Sequence, residues 1–450
     1  MAFHKRKFEI DYLYDILKPI LSTQLKGVKL RVGSFNNPKG YEIHSFIHLC
    51  TITGDTEELD YLSGTSHRSK NAPCHICLSS KVQCNYTDPD EAIGVFRDDN
   101  QMQQIGTDRE LALFDHCKNH GYKRDVNFLI YERLANKVGI NSGYNKLIDL
   151  FIWSYKRKIW SFYQSKAPDY LHTFIIGYIA DAIAWAMICI VKISQIDNQY
   201  KFNMKYLDER IKHFPRIQSL NIFQDKVRCR FYNGISSLFK TDLKENDASG
   251  TKLFANGSME AWKLPQLLLH LIFCINGNIC PFNSDWTENN QTRYKWNIGH
   301  VIINCLTSVL ELHFCCRMKV LSERAILSLN FVISNTRSQL SLLHMLKEDL
   351  MGTYKKYTGI KHHLGSHYPY YKKQLGADHR QYDTEMSENA HKIYLKKDFE
   401  KTNKQYHSVI HDMLVNHKIK MHFNNINNSK QILEIEKTRV SYNDNAMRYI

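Results

Sequence analysis

Residues 52–79 read "ITGDTEELDYLSGTSHRSKNAPCHICLS" and place two motifs side by side. An apolar, strand-like run ends at Gly54-Asp55, and the pair Cys74-x-x-Cys77 follows. Ligands and metal ions often bind at the carboxyl ends of core strands, so Asp55 is a candidate ligand for Mg²⁺. The alternative is that Asp55 caps a helix beginning near Glu57, and the stretch "GDTEE" taken alone favours the cap.

The Cys74-x-x-Cys77 pair has the spacing by which a turn presents two thiolates to one zinc ion. Because zinc takes four ligands in structural sites, a second pair must complete the site. The candidates are Cys117 with His120, at C-x-x-H spacing, or singly Cys84 and His67. The alternative is a pair of reduced, partly buried thiols. We predict a structural zinc ion at this pair.

Composition indicates a globular, helix-rich protein with a basic surface. Of the 450 residues, 43% are hydrophobic and 12% aromatic, with only 20 Gly and 9 Pro, which argues against disorder. The net charge of +15 suits a polyanionic partner such as nucleic acid. No apolar segment follows the basic N-terminus, so we expect no secretory signal, and we expect the 12 cysteines to be reduced.

Apolar periodicity predicts a small strand-containing piece followed by a long helical block. The runs 28–35 and 41–53 have strand character and flank the turn "NNPKG", whereas helical patterns dominate residues 107–345. The segment 173–193 is long enough to span a membrane, but Asp181 near its middle favours a buried helix. A basic stretch, 354–380, precedes another predicted helix, 387–417.

Two further segments place an acid and a histidine three residues apart, on one face of a helix. In "APDYLHTFIIG" these are Asp169 and His172, for which the alternative is a helix cap beside a core-edge histidine. In "EMSENAHKIYLKK" they are Glu388 and His391, for which the alternative is a solvated amphipathic helix. The acid of the second segment could join Asp55 on a metal ion. The candidate phosphate-binding residues in this region are Lys392, Lys396 and Lys397.

The stretch "HYPYYKK" interleaves aromatic and basic residues. Tyr368, Tyr370 and Tyr371 are followed directly by Lys372 and Lys373. This pattern fits a surface that tracks a nucleic-acid backbone and stacks on its bases. The alternative is an interface with a protein partner.

Taken in order, these motifs resemble DNA transposases of the fungal Plavaka and Kyakuja–Dileera–Zisupton (KDZ) groups, distant kin of CACTA-type (En/Spm) elements. The stretches that carry the resemblance are "TGDTEELDYLSGTSHRSKNAPCHIC", "APDYLHTFIIG", "KHHLGSHYPYYKKQLGADHRQYDTEMSENAHK" and "KTNKQY". The resemblance implies an α+β, helix-dominated fold. Its partial RNase H-like (DDE) core would be interrupted by a zinc knuckle and a large all-helical insertion.

The resemblance also implies two-metal phosphodiester chemistry with Mg²⁺ or Mn²⁺. Asp55 matches the second catalytic acid of the family, and Glu388 matches the third, with Glu260 as the runner-up. Asp169, His172 and His391 would support the site. The family's first acid lies upstream of the segment that residues 12–28 resemble, and no matching acid precedes that segment. We therefore expect a truncated or degenerate transposase in which DNA binding survives better than catalysis.

The resulting organisation has five parts. They are a partial sheet (1–63), the zinc-knuckle region (64–125), the helical insertion (126–350), the C-terminal part of the core with a basic helix (351–415) and a polar tail (416–450). DNA is the expected partner, with nuclear localisation. A homo-oligomer is left open, and neither a membrane nor a small-molecule substrate is expected. The alternative function is a non-catalytic nucleic-acid-binding or scaffold protein with a structural zinc site.

Overall fold

The computed structural model describes residues 10–19, 28–34, 37–45, 51–65, 71–119, 126–140, 143–155, 161–196, 210, 264–275, 298–319, 321–352, 359–376 and 384. The chain divides into two compact units, Met1–Asp383 and Thr384–Ile450. Because Thr384 is the one described residue of the second unit, the described fold is that of the first. Of the sequence-based assignments, Glu260, Glu388, His391 and the three lysines after His391 lie outside the described residues.

The strands form an antiparallel hairpin of β1 (Val28–Ser34) and β2 (Asn37–Ser45). Val28 pairs with Ser45 and Ser34 pairs with Asn37, so β2 begins inside the stretch predicted as a turn. An exposed ion pair between Lys29 and Glu42 joins the two strands at 2.8 Å. In the described part of the chain this hairpin is the whole sheet apart from isolated bridges. The prediction of a helix-dominated fold with few strands is confirmed for the described residues, and an RNase H-like core is not shown.

The residues after the hairpin build a short helix with caps at both ends. In α1 (Thr56–Ser63) the Asp55 carboxylate accepts the backbone N–H of Glu58 at 2.7 Å. The acids Glu57 and Glu58 lie in the first turn, where they oppose the positive end of the helix dipole. Gly64 ends the helix at φ 68°, a left-handed conformation that favours glycine. The cap that the sequence allowed as an alternative for Asp55 is therefore present.

Residues 10–19 are also helical, and a 3₁₀-helix spans Gln83–Asn85. The helical part of the unit contains the remaining elements. They are α2 (Pro89–Ala92), α3 (Asp99–Asn119), α4 (Val126–Val138), α5 (Lys146–Tyr155), a π-helix (Leu171–Ile179) continuing into α6 (Ala180–Ile196), α7 (Leu264–Ile275), α8 (Ile298–Arg317), α9 (Glu323–Met351), α10 (Ile360–Ser366) and α11 (Tyr368–Leu375). The long helix α9 packs against α8, α6 and α11, and α10 packs against the π-helix.

The π-helix and α6 occupy the centre of the larger hydrophobic core, which explains their continuous apolar sequence. Two described helices, Leu171–Ile190 and Ile298–Arg317, are long and apolar enough to cross a membrane. In the first, 89% of the apolar window is buried within the protein. Asp181, the charge within this apolar run, lies 3.3 Å from Nε2 of His362 on α10. A buried partner therefore accounts for the charge that the sequence places there.

Candidate metal centre

The larger hydrophobic core includes part of a buried group of two cysteines and two histidines. Cys74, Cys77, His363 and His367 place one potential ligand atom each within 4.8 Å of all the others. All four side chains are buried. The Cys74 Sγ atom lies 3.6 Å from His367 Nε2, and the Cys77 Sγ atom lies 3.3 Å from His363 Nε2. The two Nε2 atoms are 3.3 Å apart. Such a group can hold one metal ion.

The cysteine half is shaped by a short loop that folds back on itself. Cys77 bridges to Phe96 in antiparallel fashion, and Leu78 donates its N–H to Val95 O at 2.9 Å. Ile76 donates its backbone N–H to Cys74 Sγ at 3.3 Å. An N–H donated to sulfur stabilises the thiolate form, which is the form that binds metals.

The histidine half comes from one turn of helix. His363 lies on α10 and His367 lies between α10 and α11, so the H-x₃-H spacing puts both rings on one face. Their rings meet at 88° with centroids 5.0 Å apart, and Phe96 packs on His367 at 5.7 Å. Within the described residues neither Nδ1 has a hydrogen-bond partner. Ring packing therefore orients both imidazoles with Nε2 towards the sulfurs.

Two buried arginines fix the halves in place. Arg97 donates to Cys74 O from Nε at 2.9 Å and from Nη2 at 2.7 Å, and it also reaches Ala72 O and Val138 O. Arg337 on α9 donates to Ser366 Oγ next to His367 and to Cys84 O at 2.6 Å. Arginine side chains thus satisfy the carbonyl groups of Ala72, Cys74 and Cys84.

Protonation within the group is uneven. Burial raises the pKa of the Cys74 thiol, and the adjacent Cys77 raises it further. Burial also opposes ionisation of Cys77, but hydrogen bonding from Cys74 and the neighbouring His367 and His363 outweigh it and lower its pKa well below the usual range. Burial lowers the pKa of His363 to about 4, so its ring is neutral at pH 7. The lowered pKa of Cys77 and the neutral ring of His363 leave the group ready for a cation, whose charge would also favour ionisation of Cys74.

The ligand pair proposed from the sequence to complete the site cannot be placed relative to this group. The backbone of Cys117 lies on α3, but its side chain and all of His120 are outside the described residues, as is His67. Cys84 is buried nearby with its Sγ 4.0 Å from Ser79 O. His363 and His367 already supply the two missing ligands. The sequence contained their signal, because H-x₃-H is a usual partner of C-x₂-C at zinc sites.

Other sequence-derived candidates have structural roles in the described part of the chain. Asp169 is buried and accepts from the backbone N–H of His172 at 2.8 Å, and its Oδ2 lies 2.6 Å from His172 Nδ1. It therefore caps the π-helix, as the alternative interpretation allowed. Lys372 is buried and donates to Met318 O at 3.3 Å, whereas Lys373 is exposed.

The prediction that three tyrosines form an aromatic surface is wrong for two of them. Tyr368 and Tyr371 are fully buried in the larger core, and Tyr370 is half-buried. Tyr368 packs edge-on against Phe174 at 4.6 Å, because α11 turns this face inward.

No protein-family model matches the chain, and no curated protein is significantly similar to it.

Proposed function

We propose that the Cys₂His₂ group is a structural zinc centre and that the chain is a transposase-derived DNA-binding protein. The observation that carries the zinc assignment is the set of distances between ligand atoms. A tetrahedral zinc ion with Zn–S of about 2.3 Å and Zn–N of about 2.0–2.1 Å separates its nitrogens by about 3.3 Å and a nitrogen from a sulfur by about 3.5 Å. The corresponding distances are 3.3 Å for His363–His367, 3.6 Å for Cys74–His367 and 3.3 Å for Cys77–His363.

The chemistry of the ligands supports a structural rather than a catalytic ion. Two thiolates and two imidazoles fill all four tetrahedral positions, and a catalytic zinc ion keeps one position open for water or substrate. The burial of all four side chains agrees with a closed site. When bound, zinc would link the loop at Cys74 to the helix at His363.

This linkage supports the transposase part of the proposal. Cys74 and His363 are separated by most of the chain, and the centre brings together the two ends of that long segment, whose described part is mainly helical. Asp55 lies shortly before Cys74, and Glu388 lies shortly after His367. An RNase H-like core interrupted by a helical insertion requires its insertion to leave and return at one place. In such a core Asp55 and Glu388 would hold Mg²⁺ or Mn²⁺ between them.

The net charge of the whole chain supports the proposal that it binds DNA. The excess of 60 Lys and Arg over 45 Asp and Glu suits a phosphate backbone. Lys373 is the exposed basic residue of the "YYKK" stretch and is the candidate phosphate contact within the described residues of that stretch.

One observation favours the non-catalytic alternative. The Asp55 carboxylate caps α1, and a cap is a sufficient structural reason for an acid at this position. We therefore keep a zinc-stabilised DNA-binding protein without nuclease activity as the second candidate function.

Binding of a fluorescent duplex at increasing salt tests the DNA-binding function. We expect the affinity to fall by at least about tenfold between roughly 50 and 200 mM salt. No binding at low salt, or binding that does not depend on salt, would overturn it. Plasmid nicking with Mg²⁺ or Mn²⁺ separates the two candidates, with Asp55→Ala and Glu388→Ala as controls. Nicking that both substitutions abolish favours the nuclease, and its absence favours the non-catalytic protein.

A further inference from the structure

Helices α3 and α4 form an arm with its base in the smaller of the two hydrophobic cores. The two helices pack against each other and are connected by residues 120–125. Met102 and Ile105 near the start of α3, and Ala135 and Val138 near the end of α4, are buried in this core. Among the described residues, neither core includes the end of α3 or the start of α4. The tip of the arm therefore lies away from the cores.

The tip of the arm exposes large apolar side chains on both helices. Four of them are 55–68% exposed, namely Leu111, Phe114, Val126 and Ile130. The helical period places Leu111 on the side of α3 opposite the buried Met102, and it places Ile130 on α4 away from the buried Ala135. Two helices cannot cover their own outer faces, and a group of exposed apolar side chains of this size marks an interaction site.

The charge of the arm differs from that of the whole chain. Together α3 and α4 contain five acidic residues against four lysines and arginines, whereas the whole chain has a net charge of +15. This nearly neutral surface does not match a phosphate backbone, which attracts Lys and Arg. It does allow a second basic chain to approach, because like charges do not meet at the contact.

The exposed charges beside the apolar side chains are of opposite sign on the two helices. Asp115 is exposed four residues after Leu111, on the same face of α3. Arg133 is exposed three residues after Ile130, on the same face of α4. An acid on one helix and a base on the other make the surface complementary to itself, which a contact between identical copies requires.

We infer that the arm is a dimerisation surface whose occupant is the arm of a second copy of this chain. In a two-fold arrangement, α3 of one copy faces α4 of the other, and the four helices bury their apolar side chains in a bundle. The same arrangement brings Asp115 of one copy towards Arg133 of the other. The inference goes beyond the proposed DNA-binding function and does not rest on it.

Sedimentation equilibrium of the full chain over a range of micromolar concentrations tests the inference. The variants are Phe114→Lys and Ile130→Lys, one on each helix of the arm. Phe331→Lys is the matched control, because Phe331 is 75% exposed on α9 and its substitution adds the same charge outside the arm. The three substituted side chains are exposed, so we expect each variant to fold, and circular dichroism spectra equal to that of wild type show that it does.

We expect wild type and Phe331→Lys to form a dimer with the same dissociation constant. Phe114→Lys and Ile130→Lys should each weaken the dimer by at least about tenfold, because a charge would have to be buried between the copies. A monomeric wild type overturns the inference and leaves the arm to a different partner, while salt-dependent DNA binding by the same protein would still stand. A dimer that the two arm variants do not both weaken, or that Phe331→Lys weakens equally, overturns the inference as well.

Discussion

The metal centre and the Gly54-Asp55 turn are neighbours in the sequence, but they are built in different ways. Asp55 bonds to Glu58, three residues away, so its conformation is explained within one turn of helix. Cys77 meets His363 across most of the chain. A local contact is thus a sufficient structural reason for Asp55, whereas the Cys₂His₂ group joins distant parts of the chain and could hold a metal ion.

The largest expected effect is the loss of the metal ion. Without it, the structure buries two thiols and two imidazoles that satisfy one another poorly, and binding of a structural zinc ion contributes on the order of 10 kcal/mol in small domains. We expect Cys77→Ser, or treatment with a chelator, to lower the melting temperature by more than about 10 °C. Differential scanning fluorimetry measures this shift.

Cys84→Ala is the matched control, because Cys84 is a buried cysteine beside the centre but outside the ligand group. It should keep its zinc, and so should the double variant Cys117→Ser/His120→Ala. Loss of zinc from that double variant would restore the ligand set that the sequence suggested first.

The second effect comes from the arginine that holds the cysteine half. Arg97→Met removes the donors that satisfy the buried carbonyls of Ala72, Cys74 and Val138. Leaving these acceptors unpaired should cost about 3 kcal/mol and weaken zinc binding. Urea unfolding gives the first quantity, and competition with a coloured chelator gives the second. Lys137→Met, at an exposed position of α4, should change neither.

The third effect is a pH dependence that is independent of the metal ligands. Burial, with the nearby Lys347, lowers the pKa of His344 to about 4. The unfolded chain, with its higher histidine pKa, therefore binds more protons than the folded chain as pH falls below about 6.5. Stability should fall by about 2 kcal/mol between pH 7 and pH 5 from this residue alone.

His344→Gln cannot titrate, so the loss of stability between pH 7 and pH 5 should be smaller in this variant by that amount. Urea unfolding of both proteins at the two pH values supplies the comparison. Equal losses in the two proteins would show that His344 titrates normally.

The smallest effect concerns Asp55. Asp55→Ala removes the cap of α1 and should cost about 1 kcal/mol, and Asp55→Ser should restore most of it. If Asp55 is also a catalytic acid, serine rescues stability but not metal-dependent nicking. Chemical denaturation and plasmid nicking on the same three proteins would show whether this turn has one role or two.

The same contrast explains how much could be predicted from the sequence. Short-range patterns predicted the strand at Val28–Ser34, the helical block, the buried helix around Asp181 and the metal-binding character of Cys74 and Cys77. The H-x₃-H spacing of His363 and His367 was present in the sequence, but which residues pair with Cys74 and Cys77 depends on how α10 packs. The prediction that Tyr368 and Tyr371 lie on the surface was wrong for the same reason. Their basic neighbours in the sequence are typical of a surface, but tertiary packing buries both rings.

We propose that Cys74, Cys77, His363 and His367 together hold one zinc ion. X-ray absorption at the zinc edge of the purified chain, with metal analysis, tests it most directly. We predict one zinc ion per chain with two sulfurs at about 2.3 Å and two nitrogens at about 2.0–2.1 Å, and no bound zinc in His363→Ala/His367→Ala. A full equivalent of zinc retained by that double variant would contradict the account.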